Sequence, residues 1–317
     1  MRTLPPGWSV RPPTLDDVDA ILAVVHASDI AAVGEADFTA DEVVELLTAP
    51  NHDPERDSWV AVDEQGRIVA WAYIHNPSGG LRENFDDYQH PEHGKSAQPV
   101  LLDLVLARIA ERARERGVPS LTARAGAIAT EVDYIALLAS AGFTFVKRYA
   151  RMRRALTADE PAPAIPAHVR IRPLRSDDEA DLRAFHEVLE SAFGDSGDHN
   201  ASTFDDYRAR VYALPRVEWD EWLVAEVSGR IAGILQSQSA DAHGWVRMLG
   251  VAREFRGQGV GALLLRSAFH VYAAKGYQSA GLGVDTENPT GAYRLYESVG
   301  MRPVYEADMY QREVLAQ

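Results

Sequence analysis

Arg256, Gly257, Gln258, Gly259, Val260 and Gly261 spell Arg-x-x-Gly-x-Gly between two apolar stretches. Residues 246–251 ahead of the run read as a strand, and the Ala-Leu-Leu-Leu behind it opens a helix. A glycine-rich turn at a helix start leaves backbone N–H groups uncovered, and the helix dipole adds positive potential there. Glycine lets an oxyanion approach the backbone without a Cβ in the way. The chemistry implied is binding of a phosphate-bearing cofactor through residues 256–262.

Two cofactor classes fit such a run. Gly257-x-Gly259-x-x-Ala262, with Asp285 about 20 residues further on, satisfies the dinucleotide fingerprint. That fingerprint asks for a glycine directly after the strand, and here Ala252-Arg-Glu-Phe-Arg256 intervenes. It also opens a series of βαβ units, whereas one strand and one helix follow here.

The downstream run Asn288-Pro-Thr-Gly-Ala-Tyr-Arg-Leu-Tyr296-Glu-Ser-Val-Gly-Met301 completes a pattern. Together with Arg256–Gly261 it resembles the GCN5-related N-acetyltransferase (GNAT) superfamily. The resemblance implies that Arg256, Gly257, Gln258, Gly259, Val260 and Gly261 cradle the pyrophosphate of acetyl-coenzyme A. It implies that the strand bearing Leu249 and Val251 splays from its neighbour and offers backbone groups to the pantetheine arm. Asn288 would touch the cofactor besides capping its helix, and Tyr296 would protonate the leaving thiolate. Tyr293, three residues earlier, reads as core.

The chain repeats itself with an offset of about 160 residues. Ser9-Val-Arg-Pro-Pro-Thr-Leu-Asp-Asp17 answers Val169-Arg-Ile-Arg-Pro-Leu-Arg-Ser-Asp-Asp-Glu179. Thr14 with Asp17, and Ser176 with Glu179, stand at capping-box spacing. Hairpins with a Gly-Arg turn recur at 59–73 and 222–235, and helices stop at Gly117 and Gly276. The expected fold is α/β: two tandem GNAT-like domains, each a mixed, mostly antiparallel sheet flanked by helices. Residues 1–155 read as a degenerate domain. Pro99 and a single glycine stand where the second copy has its cradle, and Leu138 stands near the place of Tyr296. Residues 167–317 read as the active domain, after a Pro/Ala-rich linker at 157–166.

At this level the chain is similar to the tandem-domain mycothiol synthase family. That family places a glutamate on the strand before the cradle, and the matching position here is Trp245. The base that takes the amine proton must therefore stand elsewhere. Glu226 and Asp241 are the candidates, with His243 near by. An acidic segment holding Asp195, Asp198, Asp205 and Asp206 would line the acceptor pocket and favour a cationic amine.

Composition narrows the field. The chain has 317 residues, a formal charge of −15 and no cysteine. Disulfides, thiolate nucleophiles and a covalent cysteine relay are excluded. An acidic chain lacks the basic footprint that nucleic acid demands. Neither a membrane span nor a signal-peptide apolar region is evident, so a cytoplasmic monomer or homodimer is expected. His90-x-x-His93 with Glu92 and His75 lacks the spacing of a helical zinc motif, and no metal is expected. The reading is an acetyl-CoA-dependent N-acetyltransferase of a small amine. A non-catalytic acyl-CoA-binding protein and a nicotinamide-dependent oxidoreductase stay open as alternatives.

Overall fold

The computed structural model describes residues 2–36, 38–49, 52–76, 79–194, 201–214, 217–239, 242–287 and 290–316. Its elements run β1 (Ser9–Arg11), α1 (Val18–Val33), α2 (Ala40–Leu47), α3 (Pro54–Asp57), β2 (Ser58–Val62), β3 (Ile68–His75), β4 (Arg82–Gln89), α4 (Gln98–Glu115), β5 (Ser120–Ile128) and α5 (Val132–Ser140). They continue β6 (Thr144–Ala155), β7 (Val169–Pro173), α6 (Glu179–Phe193), α7 (Phe204–Ala213), β8 (Leu223–Val227), β9 (Arg230–Ser237), β10 (His243–Val251), α8 (Val260–Ala274), β11 (Ser279–Asp285), α9 (Ala292–Ser298) and β12 (Arg302–Leu315).

Two compact units result. One is Met1–Arg148 with Ala307–Gln317, the other Tyr149–Glu306. Their bounds differ from a cut at 155/167 because each sheet ends on a strand from the other half of the sequence. In the first unit the order is β1-β2-β3-β4-β5, completed by the β12 residues 307–315 against β5. In the second it is β7-β8-β9-β10-β11, completed by the β6 residues 149–155 against β11. Both units share one element order, and in each the fourth and fifth strands pair in parallel while the other pairings described here are antiparallel. Those parallel strands are joined by a crossover helix, α4 or α8, as parallel pairing requires. The sheets are mixed and mostly antiparallel.

Local chemistry sets the element ends. The β8–β9 turn has Ser228 and Gly229 both at positive φ (52° and 79°), the two-residue type I′ geometry that matches strand twist. At the end of α8 the Gly276 N–H meets the Ala273 carbonyl and the Tyr277 N–H meets the Tyr272 carbonyl, a Schellman stop with Gly276 at φ 83°. Thr14 and Asp17 form the expected capping box. Ser176 does not cap α6. Asp178 does, accepting from the Ala180 and Asp181 N–H groups, because a carboxylate directly ahead of the first turn reaches those donors.

In the second unit α8 and α9 cover one face of the sheet, with Leu264, Leu265, Phe269, Tyr272 and Tyr296 buried. The other face carries α6 and α7, with Phe185, Tyr207, Trp222 and Ile234 buried. Two glycines allow α8 to lie so close. A Cβ on Gly233 would come to 2.9 Å from Val260 Cγ1, and one on Gly244 to 2.3 Å from the Tyr272 ring. The linker is tied to this unit: the Glu160 carboxylate accepts from Arg154 at 2.6 Å, and its carbonyl is 2.8 Å from His270 Nδ1.

Candidate functional site

β10 and β11 form a fork. Their register covers His243, Gly244 and Trp245 opposite Ser279, Ala280 and Gly281, and ends there. β10 runs on to Val251 along β9, and β11 runs on to Asp285 along β6. A bulge between Val246 and Met248 marks the parting, where an extra residue bends and over-twists a strand. Among the described residues, β10 has no β11 partner beyond Trp245. Leu249 and Val251 therefore lie on a strand with one open backbone edge, and their side chains pack against the core.

The chain leaves this fork through a 3-10 turn (Arg253–Phe255) and enters the glycine run. Gly257 and Gly259 adopt φ of 75° and 78°, the left-handed region that only glycine enters cheaply. Gly259 is the N-cap of α8, and no side chain caps the helix. Its carbonyl accepts the Leu263 N–H, so the N–H groups of the first turn have no intrahelical partner. A Cβ added at Gly257 or Gly259 would meet nothing within 4 Å, whereas one at Gly261 would come to 3.0 Å from Leu295 Cδ2. The first two glycines thus open the helix N-terminus, and the third lets α9 approach α8. Arg256 holds the loop from behind: Nε donates to the Val251 carbonyl at 3.2 Å and Nη2 to the Ala192 carbonyl at 3.1 Å. Gln258 Nε2 donates to the Glu254 carbonyl at 3.1 Å. Gln258 thus braces the turn on its own backbone, and Arg256 ties it to β10 and α6.

Tyr296 lies on α9 within the same core as α8, 8% exposed. Burial pushes its hydroxyl up to about 12, so it keeps its proton at neutral pH. Tyr293 is partly buried on the same core. Asn288, the other cofactor candidate on this segment, lies outside the described residues, and α9 starts at Ala292 with Gly291 at φ 75° as its N-cap, so the expected cap at Asn288 does not hold.

The base candidates separate. Glu226 is on β8, with β9 between it and β10. Its carboxylate accepts from Arg172 Nε at 2.7 Å, and Arg172 also grips Asp181 at 2.6 Å. This cluster anchors α6 to the sheet. Asp241 lies outside the described residues, as do Asp195 and Asp198. His243 Nδ1 sits 2.8 Å from Ser279 Oγ at the closed end of the fork. Asp206 accepts from Thr203 Oγ1 at 2.6 Å within the first turn of α7, while Asp205 is exposed and 3.6 Å from Arg208.

A constellation absent from the sequence reading lies on α6 and α7. His186 Nε2 is 3.2 Å from Glu190 Oε1 and 3.4 Å from Ser202 Oγ. The His186 ring lies 4.9 Å from that of Tyr207, whose hydroxyl is raised by burial and eased by the charges of Arg210 and Arg247. Arg247 is the bulge residue of β10, so its charge reaches from the fork to Tyr207. The i, i+4 spacing of His186 and Glu190 was the available signal, and it looks the same as that of any helix-surface pair.

A fork in a mixed sheet above an uncapped glycine start is a distinctive arrangement. The family model described as Acetyltransferase (GNAT) family matches residues 182–301, the stretch that contains it. The chain carries a GNAT domain. The GNAT domain and the unit before it together resemble solved structures along almost their whole length. A GCN5-related N-acetyltransferase from Sphaerobacter thermophilus aligns with TM-score 0.84 and 27% identity, covering 99% of this chain and 98% of that one. A tandem GNAT protein from the clavulanic acid biosynthesis pathway aligns with TM-score 0.72 and 17% identity, covering 97% and 98%. Among curated relatives, the mycothiol acetyltransferase of Thermobispora bispora is 32% identical over 183 residues, 56% of this chain and 61% of that protein. That of Streptomyces bingchenggensis is 29% identical over 54% and 56%. The match thus spans about three fifths of these relatives' length. Among the described residues no helix is long and apolar enough to cross a membrane, and no group of three or more metal-ligating side chains is assembled.

Proposed function

We propose that this chain is an acetyl-CoA-dependent N-acetyltransferase that acts on a small amine by direct attack in a ternary complex. The observation that carries the reading is the fork at Trp245 and Gly281 beside the uncapped, glycine-opened start of α8. Open space in front of Gly257 and Gly259 fits a pyrophosphate, and the free edge of β10 at Leu249 and Val251 fits an amide-bearing arm. Bound acetyl-CoA supplies an activated thioester.

The N–H groups of Val260 and its neighbours bind the diphosphate, with Gly257, Gln258, Gly259 and Gly261 shaping the turn and Arg256 bracing it. Asn288 is kept as a cofactor contact on the family resemblance. Backbone N–H groups aimed at the carbonyl oxygen stabilise developing negative charge. Tyr296 keeps its proton on Oη until the thiolate leaves. We assign proton removal from the amine to the His186–Glu190 pair rather than to Glu226, whose carboxylate is committed to Arg172. Asp241 stays a candidate by its place ahead of β10. The first unit, which lacks the glycine run, binds no second acetyl-CoA.

The net charge of −15 and the exposed Asp205 favour a cationic acceptor. Release of CoA thiol across a panel of cationic, neutral and anionic amines is the test. Acetyl-CoA binding without thiol release would make the protein an acyl-CoA-binding module. NADH binding in place of acetyl-CoA would return the dinucleotide reading. A rate for cationic amines that falls with salt in wild type and less steeply in Asp205→Asn supports the charge preference.

A further inference from the structure

The first unit has its own fork. β4 pairs with β5 from Arg82–Thr122 to Phe85–Ala125 and then parts from it, although both strands continue. In the second unit the strand that opens, β10, leads into the glycine turn. In the first, α4 starts with Gln98 and Pro99, and Pro99 removes one of the N–H donors an anion would need.

What the first fork holds is acid. Asp87 follows the last paired residue, Phe85, by two positions and so shares its face of the strand. It is 9% exposed, and neither carboxylate oxygen has a hydrogen-bond partner among the described residues. The Tyr134 hydroxyl, on a residue 3% exposed, is likewise buried and without a partner, as are Gln89 Oε1 and Gln98 Nε2. These groups converge. Gln89 lies on the Asp87 face of β4 and donates to Gln98 Oε1 at 3.2 Å. Asp87 is near enough for its charge to act on the Tyr134 hydroxyl. Around them the strand neighbours are small: Ala72 opposite Asp87, Ala70 opposite Gln89, and Ala125 and Ala127 on β5.

Among the described residues no base answers this acid. The charged groups that reach Asp87 are Glu131 and Asp86. Asp86 takes the Tyr73 hydroxyl at 2.8 Å, and Glu131 accepts the Ile128 N–H at 2.7 Å. A buried carboxyl group with neither a cation nor a donor is costly to ionise, and such an unsatisfied group calls for a missing partner such as an ion. The open atoms are mainly acceptors, which matches a ligand that donates hydrogen bonds and carries positive charge.

We propose that the first unit binds a protonated primary amine in the β4–β5 fork, with Asp87 as its counter-ion and Tyr134 Oη and Gln89 Oε1 as further acceptors. The acidic fork replaces the anion cradle of the sister unit, so duplication has yielded two sites of opposite charge preference. This site is independent of the acetyl-transfer reading.

Calorimetric titration of the full chain with n-propylammonium tests it, with tetramethylammonium and potassium as controls. Tetramethylammonium carries the charge without N–H donors, and potassium tests for a simple ion site. Saturable binding of n-propylammonium, at least tenfold tighter than either control, is expected. Asp87→Asn should weaken it by about 30-fold or more, the cost of truncating a buried charge pair. Tyr134→Phe, which keeps the ring, should weaken it several-fold. Gly259→Asp, which blocks the second unit's cradle, should leave it unchanged. Absence of saturable binding in wild type, undiminished binding in Asp87→Asn, equal binding of potassium, or loss of binding in Gly259→Asp each overturns the proposal.

Discussion

Trp245 and Gly281 are the last paired residues of β10 and β11, and a Cβ on Gly281 would come to 2.9 Å from the Trp245 ring. The Arg151 guanidinium lies over that ring, 3.7 Å from its centroid, so the indole has little freedom to yield. Gly281→Ala should cost about 1–3 kcal/mol, the usual range for overpacking, and weaken acetyl-CoA by disturbing the mouth of the fork. Adding Trp245→Leu should recover part of the loss. Thermal unfolding and calorimetry on the two single variants and the double variant measure the coupling. Additive effects would show that the two residues do not set the fork together.

The glycines of the cradle should respond differently from one another. Gly259→Asp places a carboxylate at the helix N-terminus, in a left-handed conformation that Asp tolerates, with no atoms within 4 Å of its Cβ. The fold should persist while acetyl-CoA binding falls below detection. Gly261→Ala meets Leu295 at 3.0 Å and should lower the melting temperature first. In wild type, calorimetry should give one acetyl-CoA per chain. Two equivalent sites would contradict the assignment of the first unit.

Tyr296→Phe keeps the buried ring and removes the proton. The turnover number kcat should drop roughly 10–10³-fold, the lower part of the range for a general acid, with acetyl-CoA affinity little changed. Steady-state kinetics alongside calorimetry separates the two effects. Full turnover would leave Tyr296 as a packing residue.

His186→Gln should depress kcat/KM most on the plateau above the acidic limb and flatten that limb, because a base must be unprotonated to act. Glu190→Gln should lower kcat/KM by less and keep the limb, since Glu190 Oε1 positions the imidazole from 3.2 Å. An unchanged profile in His186→Gln would send the search back to Asp241 and Glu226.

Asp87 gives stability its own pH dependence. Burial, followed by the charges of Glu131 and Asp86, holds its carboxyl well above the usual range in the folded chain. The folded state therefore holds this proton more tightly than the unfolded chain, where such a group titrates near about 3.9. That contribution is complete below about pH 3.9 and is lost as pH rises through the folded value. The melting temperature of Asp87→Asn should thus exceed that of wild type by a margin that widens from pH 4 to pH 8. A margin independent of pH would mean that Asp87 finds compensation on ionising.

The glycine turn was legible because it is written in backbone chemistry. Arg-x-x-Gly-x-Gly after a strand states a left-handed turn and a helix start at once, and Gly257 and Gly259 adopt those angles. The duplication was legible through its turns: Gly229, Gly276 and the capping pair Thr14 and Asp17 lie where local residue preferences put them. Where two residues compete for one local role, the pattern misled. Ser176 has the capping spacing, yet Asp178 does the capping.

What the sequence by itself determined was therefore the local geometry: the glycine turn, the order of strands and helices, the repeat, and the absence of thiol chemistry. Tertiary structure decided everything that depends on distant partners. That residues 307–315 complete the first sheet and 149–155 the second follows from long-range pairing, which no local preference encodes. Glu226 resembles a free carboxylate in the sequence until Arg172 and Asp181 are folded against it. Asp87 resembles a solvated strand residue until the alanines of β3 and β5 and the helix bearing Tyr134 exclude water around it. Charge and hydrogen-bonding needs are properties of residue type, but whether they are met depends on what folding brings within about 3 Å.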